Sequence, residues 1–356
     1  MKFGFGSSAE KNGILRIDGI APSAAIPGGE ITIHGSGFTS RTHPRPVVRF
    51  GEAEAGLALS SEHRLIARVP EGATSGQLQV CSAGNESQPH PVSIGVQIAD
   101  NLHPIANPAV DTYGNTYVTF SGNRGQRVPV SLYKITANYS VKPYVTSLVN
   151  PSGLTLDRAG NLFVSCRNDG TIHRITPEGR AEQWIEGMGI ATGIAFDRAD
   201  NLYVGDRSGT IFKISLSREV FVFATIEPSL AAYHLAFHPS GDLYVTGPTT
   251  SSYDRVYRIT QGGEVTTFFR GLGRPQGLAF DRDGNLYVAA SLGGRRGIVR
   301  ITPQAHAELV LSGSGVVGMA LLPSGRAMIA TSVPNVPPSG ALFTLDWDVH
   351  GLPLLG

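Results

Sequence analysis

Residues 277–289 read GLAFDRDGNLYVA, and the same thirteen-residue line recurs along the chain. Four other copies are GLTLDRAGNLFVS (153–165), GIAFDRADNLYVG (193–205), HLAFHPSGDLYVT (234–246) and GMALLPSGRAMIA (318–330). An earlier and more degenerate copy is NPAVDTYGNTYVT (107–119). Successive copies begin 40 to 46 residues apart. Self-similarity at a fixed period indicates one supersecondary unit that is repeated along the chain.

Each copy predicts part of a four-stranded unit. In the second copy we predict strands at 154–157, 161–165, 170–176 and 180–185, separated by turns of the Asp-x-x-Gly-Asn and Pro-Glu-Gly kind. About 40 residues with several short strands is the period of a β-propeller blade. We therefore predict that residues 96–356 form a six-bladed β-propeller, whose closed ring removes exposed sheet edges.

The segment PVSIGVQIADNL (91–102) precedes the first copy and resembles the outer strand of a blade, as at 265–272. We predict that it pairs with the last blade and closes the ring. Residues 13–95 carry no copy of the repeat. Short alternating strands such as Glu30–His34 and Gly76–Cys81, separated by Pro/Gly turns, predict an immunoglobulin-like β-sandwich there. Residues 1–12 are predicted to be a flexible N-terminus. Since the sandwich and the propeller are both built of strands, the predicted fold class is all-β.

The segment 13–95 resembles an IPT/TIG domain, the immunoglobulin-like fold of plexins, some transcription factors and many bacterial surface proteins. The residues that carry this resemblance are Ile20-Ala-Pro22, Pro27-Gly-Gly29, Ile31–Phe38, Val48–Gly51 and Val69-Pro70. The repeats resemble NHL-repeat propellers and the related gluconolactonase/regucalcin superfamily, which share the GLAFDxDGNLYVA line. This resemblance identifies a superfamily and not an activity. Because the sequence shows no catalytic constellation, we expect a ligand- or protein-binding propeller with an IPT/TIG spacer domain. The alternative that it implies is a gluconolactonase-like hydrolase or a streptogramin-lyase-like enzyme acting at the axial pocket.

Composition excludes several classes of protein. The 29 basic and 28 acidic residues leave a net charge of +1, which argues against a nucleic-acid partner. The two cysteines, Cys81 and Cys166, show no zinc-ligand spacing. No apolar run approaches the length of a membrane span, and the first residues lack the apolar core of a leader peptide. As written the chain is expected to be cytoplasmic; it is secreted or periplasmic if a leader was trimmed.

No cofactor is evident from the residues. A divalent metal such as Ca²⁺ enters only through the gluconolactonase-like alternative, and the Glu-Gly-Pro and Pro-Asn-Gly motifs typical of that family are missing. We predict that the repeated aspartates, such as Asp157, cap tight turns and do not bind metal. The basic residue that recurs in each third strand, such as Arg174, is predicted to extend between blades or to pair locally.

Candidate ligand-binding positions lie at the end of the propeller where each inner strand begins and where the second strand leads to the third. Partners expected there are a small molecule, a carbohydrate or a protein. The candidate residues are Asn107, Ser152, Arg167, Thr192, Arg207, Tyr233, His234 and Gln276. Seven arginines in the predicted loops of this end favour an anionic or sugar-acid ligand, although a solvated rim of unrelated charges is the alternative.

His234 replaces the glycine that opens most other copies, and Tyr233 directly precedes it. A departure from the repeat at this end is where function is expected to show. His234 and Tyr233 are therefore the weak candidates for acid/base catalysis. The alternative is that a neighbouring backbone group satisfies His234.

Overall fold

The computed structural model describes residues 14–38, 45–251, 253–332 and 340–354. The predicted flexible segment 1–12 lies outside these residues. The chain divides into two compact units, Met1–Ile94 and Gly95–Gly356. All regular structure in the described residues is β-strand, which confirms the all-β prediction. Among them, no helix is long and apolar enough to span a membrane.

The first unit is a small β-sandwich. Its described strands are β1 (Arg16–Ala21), β2 (Ala24–Ala25), β3 (Glu30–Ser36), β4 (Val47–Phe50), β5 (Ala53–Ser60), β6 (Arg64–Arg68), β7 (Leu78–Ser82), β8 (Asn85–Glu86) and β9 (Ser93–Ile94). Strand β5 pairs with β4 through 53–55 and with β6 through 56–60. Strand β5 thus changes partner along its length and belongs to both sheets of the sandwich. Alternate residues of β3 and β4, such as Ile31, Ile33 and Val48, are fully buried between the two sheets.

The second unit contains the remaining strands: β10 (Val96–Leu102), β11 (Ala109–Val110), β12 (Thr116–Thr119), β13 (Leu132–Ile135), β14 (Val141–Val145), β15 (Pro151–Leu156), β16 (Leu162–Cys166), β17 (Thr171–Ile175), β18 (Ala181–Ile185), β19 (Ala191–Phe196), β20 (Leu202–Asp206), β21 (Thr210–Ile214), β22 (Val220–Thr225), β23 (His234–Phe237), β24 (Leu243–Thr246), β25 (Asp254–Ile259), β26 (Val265–Leu272), β27 (Leu278–Phe280), β28 (Leu286–Leu292), β29 (Arg295–Ile301), β30 (Ala307–Ser312), β31 (Val316–Leu321), β32 (Arg326–Thr331) and β33 (Gly340–Asp346).

These strands form a propeller of four-stranded antiparallel sheets. Four sheets take consecutive strands, β11–β14, β15–β18, β19–β22 and β23–β26, and a fifth has the order β10-β33-β32-β31. Strands β27–β30 pair in the same consecutive antiparallel order. The predicted six blades thus correspond, within the described residues, to five four-stranded sheets and the set β27–β30. We number the blades 1 to 6 in chain order from β11.

Ring closure uses the strand that precedes the first repeat. Strand β10 pairs antiparallel with β33, with Val96 opposite Thr344 and Leu102 opposite Gly340. The first strand of the unit therefore completes its last blade, as predicted. Blade 6 is held by hydrogen bonds between chain segments more than 200 residues apart, so both ends of the propeller chain are secured in one sheet.

The repeated aspartates belong to turns, as predicted. In blade 2, the Oδ1 atom of Asp157 accepts hydrogen bonds from the backbone N–H groups of Ala159 and Asn161 at 2.9 and 2.8 Å. Its Oδ2 atom accepts one from the Asn161 side chain at 2.8 Å. Asp111, Asp197 and Asp281 make the same three contacts. We call the end of the propeller that carries these turns the turn rim.

The basic residues of the third strands pair locally, which confirms their predicted role. Arg174 lies 3.7 Å from Glu182, and Arg258 lies 2.6 Å from Asp242. Lys134 and Lys213 instead lie over tyrosine rings, at 5.4 Å from Tyr117 in the first case. Arg174 and Arg258 are therefore paired with carboxylates, whereas the two lysines pack over aromatic rings.

Candidate functional site

The inner strands come together at the propeller axis through glycine. Glycines lie in the inner strands of blades 2, 3 and 6, and one directly precedes the inner strand of blade 5: Gly153, Gly193, Gly318 and Gly277. A Cβ atom on Gly153 would lie 2.9 Å from the backbone N of Ile194, and one on Gly318 would lie 2.7 Å from the backbone N of Asn107. Neighbouring strands thus approach backbone to backbone, which only glycine permits. The axis is consequently narrow.

Asn107 fills part of this narrow axis. Its Nδ2 atom donates to the carbonyl of Leu278 at 2.7 Å, and its Oδ1 atom accepts from the backbone N–H of Met319 at 3.1 Å. The side chain of blade 1 therefore joins the inner strands of blades 5 and 6. Asn107 was predicted to bind ligand, and the structure gives its amide two backbone partners.

His234 lines a cavity of about 30 Å³ beside the axis, together with Asn107, Gly153 and Gly193. Such a volume holds one or two water molecules. The residue is 4% exposed, and its ring has no hydrogen-bond partner among the described residues. Burial, followed by the charge of Arg296, lowers the pKa of His234 to about 4. The imidazole is thus neutral at pH 7 and presents one donor and one acceptor. No backbone group in the described part of the chain bonds to the ring, so the alternative of a satisfied His234 is not met there.

Arg296 is the cation that acts on His234, and it lies at the start of β29, just after the Gly293-Gly294 turn. Its guanidinium donates to the carbonyls of Arg274 at 2.9 Å and Val316 at 2.6 Å, and to the Gln276 side chain. None of the described carboxylates lies within 4 Å of it. Burial, followed by the charge of Arg274, lowers its pKa to about 10. Among the seven loop arginines, the sequence did not single this one out.

Arg167 and Arg207 follow the second strands of blades 2 and 3 on the same end of the propeller, which we call the axial rim. Arg167 reaches the Ser121 hydroxyl and the Gly122 carbonyl of blade 1, both at 3.4 Å. Arg207 is exposed and donates to the Ser229 carbonyl at 3.2 Å. Burial and the charges of Arg207 and Arg124 lower the pKa of Arg167. No described carboxylate lies within 4 Å of the guanidinium groups of Arg167, Arg207 or Arg296.

The carboxylates of the axial rim are occupied by their own loops. Asp206 accepts hydrogen bonds from the backbone N–H of Ile190 at 2.8 Å and from the Ser208 hydroxyl. Asp254 accepts from the backbone N–H of Thr249 at 2.9 Å and of Arg274 at 3.2 Å. Neutral donors satisfy these buried oxygens, so Arg167, Arg207 and Arg296 have no carboxylate partner among the described residues. Arg255 of the same rim is instead paired with Glu227 at 3.8 Å.

Three further candidates are buried beside the axis. The Thr192 hydroxyl donates to the Gly205 carbonyl at 2.8 Å and accepts from the backbone N–H of Tyr233 at 3.1 Å, so it links blades 3 and 4. The Tyr233 hydroxyl donates to the Glu227 carbonyl, and burial raises its pKa. The Ser152 hydroxyl is buried and has no hydrogen-bond partner among the described residues. Of these three hydroxyls, only that of Ser152 has no hydrogen-bond partner among the described residues.

The donor set at the axis does not fit Ca²⁺. This ion takes six to eight oxygen ligands, several of them carboxylates. The side chains lining the axial cavity supply one amide oxygen, that of Asn107, which already accepts a backbone hydrogen bond. The described residues contain no group of three His, Cys, Asp or Glu side chains placed to hold a metal. The structure therefore assembles no axial site for a hard cation from these residues.

Comparison with known proteins supports both parts of the fold. Residues 15–103 match the IPT/TIG domain. This IPT/TIG match includes β10, which lies in the second unit. A search of curated protein sequences finds no significant match.

Solved structures resemble the chain at low identity. A candidate gluconolactonase has a TM-score of 0.58 and 18% identity, covering 73% of this chain and 94% of its own. An auxiliary nutrient binding protein from Bacteroides thetaiotaomicron has a TM-score of 0.55 and 12% identity, covering 93% and 97%. At these identities the likeness shows the fold alone, and one fold supports many functions.

Proposed function

We propose that the chain is a binding protein whose NHL-type propeller holds a small anionic molecule, a carboxylate or sugar acid, on the axial rim. The observation that carries this proposal is the state of the rim arginines. Arg167, Arg207 and Arg296 are held by carbonyls and neutral side chains, while Asp206 and Asp254 are used by backbone donors. An anion supplies the charge-assisted hydrogen bonds that these guanidinium groups lack.

His234, in the cavity beside the axis, adds a hydrogen-bonding group that carries no charge. Because burial keeps the pKa of His234 near 4, its ring contributes a donor and an acceptor across the physiological pH range. In this proposal the arginines bind the anionic group. The cavity beside His234 has room for one or two water molecules, so this ring contacts the ligand through water. The IPT/TIG domain acts as a spacer.

Two observations weigh against the enzymatic alternative. Acid/base catalysis uses groups whose protons are free to move, whereas the Tyr233 hydroxyl is buried on the Glu227 carbonyl. Among the residues lining the axial cavity, His234 is the one titratable side chain, so it has no second acid/base group beside it there. A calcium-dependent lactonase also needs oxygen ligands that this cavity does not supply.

Calorimetric titration with gluconate, and with glucose as the uncharged counterpart, tests the binding proposal. We expect gluconate to bind, to raise the melting temperature by linkage, and to bind more weakly as salt screens the arginines. Replacing Arg167 by Gln should weaken binding about tenfold or more, the cost of losing a hydrogen bond to a charged group. Arg207→Gln, at an exposed position, should weaken it about two- to fivefold.

Arg180→Gln is the matched control, because Arg180 is exposed on the turn rim. An equal loss of affinity in this variant would contradict the assignment, as would a panel of sugar acids and dicarboxylates without any thermal shift. The enzymatic alternative is tested separately with a lactone panel in the presence of Ca²⁺ or Zn²⁺. Metal-dependent turnover accompanied by a metal-dependent rise in melting temperature would favour it.

A further inference from the structure

A pocket of about 630 Å³ opens on the turn rim, at the end of the propeller away from the arginines discussed above. Its lining combines the aromatic side chains of blades 3 and 4, namely Phe196, Tyr203, Phe223 and Phe237. The volume lies in the range of small-molecule sites, which are concave, mostly apolar and carry a few polar groups. It is about twenty times the volume of the axial cavity.

The aromatic side chains form a preformed wall. The Tyr203 ring contacts Phe223 and Phe237 edge-on, with centroids 4.9 and 5.0 Å apart. The C-terminal segment provides another side of the pocket through Leu352 and Pro353. It is fixed by a hydrogen bond from the backbone N–H of Gly351 to the Leu322 carbonyl at 2.9 Å. No side chain in this wall has to move for a flat apolar group to contact it.

The space exists because the turn of blade 3 differs from that of blade 4. In blade 4 the turn begins with His238, whose ring packs on Phe280 of the next blade at 5.0 Å, and Phe280 is 4% exposed. The equivalent residue of blade 3 is Asp197, whose carboxylate folds back onto its own turn. Phe237, the counterpart of Phe280, therefore has no such cover and is half-buried against the pocket.

The pocket lining carries a net positive charge. It includes one carboxylate, that of Asp197, which accepts hydrogen bonds from its own turn. Arg198 and Lys213 line it, and neither lies within 4 Å of a carboxylate in the described part of the chain. The Lys213 ammonium lies over the Tyr203 ring at 5.7 Å, so cation and aromatic wall are adjacent. Arg158 also lines the pocket but is paired with Asp200 at 3.3 Å. Two unpaired cations thus adjoin the aromatic surface.

We propose that this turn-rim pocket binds a small molecule with a flat aromatic body and one anionic group, a carboxylate or sulfonate. The aromatic body packs against Tyr203, Phe223 and Phe237, and the anion contacts Arg198 and Lys213. The site is separate from the proposed site on the axial rim, and neither depends on the other.

Fluorescence titration with 8-anilinonaphthalene-1-sulfonate tests the proposal, and its uncharged relative N-phenyl-1-naphthylamine isolates the contribution of charge. Arg198→Glu should weaken binding of the sulfonate about fivefold or more, because an attractive exposed charge becomes a repulsive one. Binding of the uncharged dye should change less than twofold. Arg282→Glu is the matched control, since Arg282 follows Asp281 as Arg198 follows Asp197 and does not line the pocket.

Filling the pocket tests its location. Ala199→Phe places a ring in the pocket while keeping the backbone N–H bond to Asp197, and it should abolish saturable binding of both dyes. Ala159→Phe, at the same turn position of blade 2, should leave binding unchanged. Equal dye binding by the two variants would overturn the proposal and assign the fluorescence to another apolar surface. An undiminished sulfonate affinity in Arg198→Glu would overturn the assigned role of charge.

Discussion

Replacing Gly193 by alanine tests the narrow axis directly. The new Cβ atom would lie 2.9 Å from the Cα atom of His234 and closer still to the Tyr233 carbonyl. An ordinary contact begins near 3.4 Å, so blades 3 and 4 would have to separate by about half an ångström at the His234 Cα atom and by about 1 Å at the Tyr233 carbonyl. Both obstacles are backbone atoms of the adjacent inner strand and cannot rotate away.

The magnitude follows from two opposing effects. Overpacking a rigid site costs about 1–3 kcal/mol, and the high end applies because backbone must move. Alanine also restricts the unfolded chain, which returns about 0.4–1 kcal/mol. The net loss is about 2 kcal/mol, or about 4–8 °C in the melting temperature of a unit of this size.

Tryptophan fluorescence is the appropriate assay, because both tryptophans, Trp184 and Trp347, belong to the propeller unit. Thermal and urea unfolding followed in this way report on the propeller and not on the IPT/TIG domain. Gly262→Ala is the control: its Cβ atom would lie 3.8 Å from the nearest atom, so stability should be unchanged or slightly higher. A Gly193→Ala protein that unfolds at the wild-type midpoint would refute the backbone-to-backbone packing.

Three further predictions use the same assay. The pKa of His234 is about 4 in the folded protein against 6.5 in the unfolded chain, so the unfolded state binds the proton first. Stability should therefore fall by about 3 kcal/mol between pH 6.5 and 4, and His234→Asn should remove most of that fall; an identical pH profile in the variant would contradict the burial argument. Ser152→Ala should leave stability unchanged or raise it by up to about 1 kcal/mol, because the removed hydroxyl has no described partner. A loss of more than about 1 kcal/mol would show that this hydroxyl is satisfied in the folded protein. Asp157→Ala should lower the free energy of unfolding by about 2 kcal/mol, since three hydrogen bonds of the turn are lost. Its gluconate affinity should not change, and a large change would show that the turn rim influences the axial rim.

Local pattern was enough to predict the repeat, the blade strands and the turn aspartates. In each case the interacting residues are a few positions apart in the sequence, as Asp157 and Asn161 are. Each copy of the repeat therefore contains the residues that determine its own strands and turns. The closing strand was predictable for a related reason. Residues 91–102 look like an outer strand because every outer strand of a propeller meets the same surroundings.

The two pockets were decided by tertiary structure. Asn107 bonds to Leu278 and Met319, which are 171 and 212 residues away along the chain, so no local pattern shows that its amide is already engaged. The turn-rim pocket exists because Asp197 folds into its turn while His238 covers the next blade, a difference visible only when neighbouring blades are compared in space. The sequence alone determined the repeating β architecture, because its interactions are local. Which polar groups remain free was determined by the closed ring, because closure brings distant inner strands into contact.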